Sequence, residues 1–75
     1  LTPLETLAQR VRLNFGLVRV MHLKALRAYI DERPESDIIR EIENFETMRN
    51  LKILLEAKPK GRLYWEIAER AGKLI

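Results

Sequence analysis

The apolar positions of this 75-residue chain recur at three- and four-residue intervals almost throughout, and nowhere do they alternate as a strand would. The first stripe is Leu4, Leu7, Ala8, Val11 and Phe15. It follows Thr2-Pro3-Leu4-Glu5, which supplies a capping hydroxyl, a proline at the first helical position and a glutamate placed to close a capping box. Gly16 suits a left-handed stop, so a helix over 3–15 is predicted. The second element, 17–32, is apolar over more than half its circumference. Leu17, Val18, Met21, Ala25, Ala28 and Tyr29 form one broad face, which Leu23, Leu26 and Ile30 extend. Helices of that kind are normally central, and a chain this short has little other helix to cover one, so a homodimer contact through it is expected.

Pro34 ends the second helix, and Ser36 or Asp37 is placed to cap the third. Its stripe begins as Ile38, Ile42 and Phe45 but drifts to Leu51, Leu54 and Leu55. One straight helix over 36–57 cannot hold both stripes against one neighbour, so it is either broken near 44–50 or curved. Lys58-Pro59-Lys60-Gly61 is a stop. The last helix, 62–71, carries Leu63, Tyr64, Ile67, Ala68 and Ala71 on one face. Glu66→Arg70 and Glu69→Lys73 stand in the favourable order, and Gly72 is positioned as terminator. The fold class is therefore all-α: a single helical domain over 1–75, on its own or as a piece of a longer chain. It is read as a small dimer-forming bundle of about four helices, or three if the long ones run on.

Charge divides the chain into three blocks. Residues 1–30 hold five basic side chains against Glu5, residues 31–46 hold seven acids against Arg33 and Arg40, and residues 47–75 hold seven basic side chains against three acids. The resulting balances of +4, −5 and +4 suit either an acidic helix lying across basic neighbours or a basic face left free for nucleic acid. With no cysteine, neither disulfides nor thiolate metal sites are available, and a reducing, cytoplasmic setting is expected. No apolar run approaches a membrane span, and the second helix is too widely apolar and too weakly basic for a membrane-surface anchor.

Catalytic chemistry is poorly supplied. Ser36 is better used as a cap, and His22 has no acid at a helical interval to orient it or to share a metal. No phosphate-cradling glycine loop is present. A non-enzyme without cofactor, metal or small-molecule substrate is expected.

The segment 51–72 carries the remaining signal. Leu51, Leu54, Leu55, Leu63, Ile67, Ala68, Ala71 and Gly72 resemble the first half of a helix-turn-helix of the winged-helix kind. In that motif an apolar residue and a small alanine pack the first helix, and a glycine four residues later turns the chain. The resemblance implies a DNA-associated domain whose recognition helix would follow Gly72. Lys58, Lys60, Arg62, Arg70 and Lys73 are the candidate contacts to the nucleic-acid backbone, with the N-terminal arginines as a second patch. Trp65 falls off the apolar stripe, beside Gly72, where it can cover its own fold, anchor a partner or stack on a base. Two functions are carried forward. One is a small intracellular DNA-binding protein using backbone contacts. The other is a helical protein-interaction or dimerisation domain that meets its partner through Trp65, Leu13, Leu23, Leu26 and Ile30.

Overall fold

The computed structural model describes residues 2–45 and 47–73, so Glu46 of the acidic block lies outside it. Five helices follow one another: α1 (Pro3–Leu13), α2 (Gly16–Asp31), α3 (Glu35–Ile42), α4 (Met48–Glu56) and α5 (Arg62–Lys73). No strand occurs among the described residues. The count exceeds the expected four because the 36–57 stretch is broken, within the interval its drifting stripe had marked. Ile38, Ile42 and Phe45 turn one way into the core, and Leu51 and Leu54 enter it from a new helix axis. Thr47 restarts the chain as N-cap, its Oγ1 accepting from the Asn50 N–H at 3.4 Å.

At the N-terminus, Thr2 Oγ1 accepts from the Glu5 N–H at 3.1 Å, with Pro3 opening the helix. Leu4, Ala8 and Val11 are wholly buried, and α1 packs against α2, α3 and α4, which makes it the central helix in place of α2. The helix ends two residues earlier than expected. Asn14 and Phe15 are extended, so Phe15 leaves the stripe and stands 82% exposed. Gly16 does adopt positive φ (+63°), which lets the chain reverse into α2.

Three further corrections are local. Pro34, not Ser36 or Asp37, occupies the N-cap of α3, and its carbonyl accepts from the Asp37 and Ile38 N–H groups at 3.0 and 3.3 Å. Gly72 lies inside α5 and does not take positive φ. Glu66 faces Arg62 at 3.6 Å rather than Arg70, while Lys73–Glu69 forms as expected at 3.3 Å.

Polar ties lock the helices together. Asn50 Nδ2 donates to the buried Glu5 carboxylate at 3.3 Å, joining α4 to α1 inside the core. Arg19 bridges α2 to Glu56 of α4 at 2.7 Å, and Arg27 Nη1 donates to the Ala57 carbonyl at 3.2 Å. Tyr29 Oη donates to the Glu41 carboxylate at 2.8 Å, joining α2 to α3, with the Arg33 guanidinium 3.4 Å over the Tyr29 ring. The ion pairs of the acidic block are local, Arg27–Asp31, Arg33–Glu32 and Arg40–Asp37. Among the described residues that block is not ion-paired to a basic helix across the fold.

Candidate interaction surface

α2 carries two apolar stripes on roughly opposite sides, at about 100° of rotation per residue. Leu26 and Ile30 are buried and Leu23 and Tyr29 pack beside them, so this stripe holds the helix onto its own chain. The other comprises Leu17, Val18, Met21, Ala25 and Ala28, all facing solvent. Leu17 is 75% and Met21 62% exposed. The partner role expected for Leu26 and Ile30 is therefore corrected: both are used up in the core of a single chain, and Leu23 is half-buried against that core. The open face is the one the same helix turns away from α1.

Leu13 and Phe15, at the corner between α1 and α2, and Val20, on the flank of α2, are exposed as well. At roughly 150–200 Å² for a fully open large side chain, Leu13, Phe15, Leu17, Val18, Val20 and Met21 display on the order of 700 Å². Leu13 was legible as a contact residue because it sits off the α1 stripe. Phe15 was not, because a continuous helix would have buried it. Leu17, Val18 and Met21 were legible only in part. Their spacing marks a second stripe, but spacing does not say which of two stripes on one helix is covered.

The candidate nucleic-acid contacts divide into two sets. Lys58 and Lys60 are exposed on the loop between α4 and α5 and make no ion pair with a described residue. Lys58 follows the C-cap Ala57 with φ +55°, a left-handed conformation that costs a lysine about 1 kcal/mol relative to glycine. Arg62 and Lys73 face Glu66 and Glu69 on their own helix, and Arg70 Nη2 donates to the Glu43 carbonyl. The five therefore do not form one unopposed basic surface. Behind the loop, Leu23, Lys24, Arg27, Glu56, Ala57 and Lys58 line a shallow cleft of about 230 Å³.

Trp65 is 71% exposed on the side of α5 opposite Leu63, Ile67 and Ala71, touching Tyr64 edge to face at 5.5 Å. Among the described residues, a β-carbon at Gly72, beside it on the helix, would meet nothing within 4 Å. His22 is half-buried, and its Nδ1 makes no hydrogen bond with the described residues. Burial, reinforced by the hydrogen bond to the Glu41 carboxylate and by its charge, raises the Tyr29 phenol above its ordinary value of 10.0, partly offset by Arg33. Among the described residues no three His, Asp or Glu side chains converge to hold a metal, and no helix is long and apolar enough to cross a membrane.

Compared with known proteins, the chain matches no family, no curated protein and no solved structure.

Proposed function

We propose that this domain is a helical protein-interaction module that docks through the α1–α2 corner and the outer face of α2. The observation that carries the reading is the open apolar surface of Leu13, Phe15, Leu17, Val18 and Met21. Leaving it in water forgoes about 25 cal/mol for each Å² that a partner would cover. With Val20 the exposed apolar area there is on the order of 700 Å², near the ~800 Å² per side of a standard protein–protein interface. Trp65 is a second exposed anchor on a different helix and is not needed for this reading. The test is a photo-reactive residue at Met21, introduced into the chain as its own cells make it, with Arg40 of α3 as the exposed control position. Protein adducts form from position 21, disappear in a Leu17→Glu background and are absent from position 40. If position 21 yields no protein adduct of any mass, the reading is refuted.

Backbone contact with DNA is the second reading, favoured by the exposed, unopposed Lys58 and Lys60 on the loop of the hairpin that resembles half of a helix-turn-helix. Titration of a fluorescent duplex decides it. Binding that falls steeply with salt and weakens in Lys58→Glu and Lys60→Glu supports it, and no binding at low salt removes it.

A further inference from the structure

The outer face of α2 is graded. Its N-terminal half carries the bulky Leu17, Val18 and Met21, and its C-terminal half carries only Ala25 and Ala28, all exposed. Val18, Met21, Ala25 and Ala28 fall at intervals of three, four and three, the spacing that keeps one seam against a facing helix. Resting on the protein-interaction reading, we propose that the occupant of this face is a second copy of the chain, with the two α2 helices antiparallel about a two-fold axis that crosses the outer face midway between Met21 and Ala25.

That arrangement sets Met21 against Ala25 of the second copy and Val18 against its Ala28, and does the same in reverse. Each large side chain meets a small one twice over. The face is therefore self-complementary in volume, which an isologous interface requires. A parallel pairing would set Met21 on Met21 and Ala25 on Ala25, crowding one end and leaving a gap at the other. The alanines let the helix axes approach closely. Phe15, projecting beyond the start of α2, then extends toward the C-terminal end of the second copy's α2.

Charge adds a signature. The two-fold axis brings Lys24, exposed beside Met21, toward its own counterpart. Their repulsion opposes association and is screened by salt. Dimerisation is therefore unchanged or tightened as salt rises, and Lys24→Gln tightens it about two-fold. A nucleic acid or an acidic partner would behave in the opposite sense.

The experiment is sedimentation velocity over a concentration series, read together with the mass of the position-21 adducts from cells. The wild type is expected to move from 8.9 kDa monomer to dimer, and the adduct to contain two chains. Ala25→Met alone overfills the seam and weakens the dimer about tenfold. Met21→Ala with Ala25→Met exchanges large for small at both contacts and restores association to within about threefold. Positions 21, 24 and 25 are all exposed, so circular dichroism of each variant stays that of the wild type. A wild type that remains monomeric to about 1 mM, or an exchange variant no better than Ala25→Met, overturns the two-fold pairing. If the chain is monomeric but position 21 still forms adducts with a different protein, the second copy is wrong and the interaction reading survives. If there are no adducts either, both fail.

Discussion

The division of α2 into a buried and an open stripe sets two substitutions, five residues apart on one helix, against each other. Leu26 is completely buried, and replacing it with alanine removes three carbons from a site walled by α1 and its neighbours. The lost transfer energy and residual cavity cost about 3 kcal/mol, within the 2–5 typical of buried leucines. A 75-residue domain has about 4–11 kcal/mol of total stability, so this is a large fraction of it. At ~4–8 °C per kcal/mol, the melting temperature should fall by about 12–24 °C. Met21→Gln, on the open stripe, keeps a long unbranched side chain and removes no monomer contact, so its effect stays within about 0.5 kcal/mol. Urea unfolding followed by circular dichroism, at concentrations low enough to keep the chain monomeric, measures both. If Leu26→Ala costs less than about 1 kcal/mol, or Met21→Gln costs as much as Leu26→Ala, the assignment of faces is wrong. The proposed docking surface would fall with it.

Other consequences are independent of that face. Asn50→Ala removes a donor to the buried Glu5 carboxylate and should cost about 2–3 kcal/mol in the same urea experiment, more than a surface asparagine would. Lys58→Gly relieves the left-handed backbone at the end of α4 while loosening the unfolded chain, so the net stabilisation is under about 1 kcal/mol. Lys58→Ala retains the strain and gives no gain. The Tyr29 phenol is raised in the folded state, so the fold favours its protonated form. The associated stability is fully present below pH 10 and is lost as pH climbs through the folded-state value above it. Tyr29→Phe should flatten that alkaline loss in a pH series of thermal melts. An unchanged slope in the variant would assign the alkaline loss to other groups.

The elements were readable because their signals are local. Thr2 with Pro3, the Pro34 and Pro59–Gly61 interruptions and the three-and-four spacing of Ile38, Ile42, Leu63 and Ile67 act within one or two turns of backbone. The helices start and stop within a few residues of those marks. The break between α3 and α4 was visible as a drift of the stripe, although not as a fifth helix. Where a local signal had two solutions, the sequence could not choose. Phe15 continues the α1 stripe if the helix runs on, and is solvent-exposed if Asn14 extends. The basic loop looks like one patch with Arg62, Arg70 and Lys73 until their carboxylate and carbonyl partners are located.

By itself, the sequence determined an all-α chain and the apolar residues available to each helix, because periodicity and capping are properties of neighbouring residues. Only the tertiary structure decided that α1, with its small buried Ala8, sits at the centre. α1 is packed against α2, α3 and α4, whereas α2 packs chiefly against α1 and so has only one side covered. That geometry buries Leu26 and Ile30 and leaves Leu17, Val18 and Met21 in water. One face of α2 belongs to the fold, and the other stays in water.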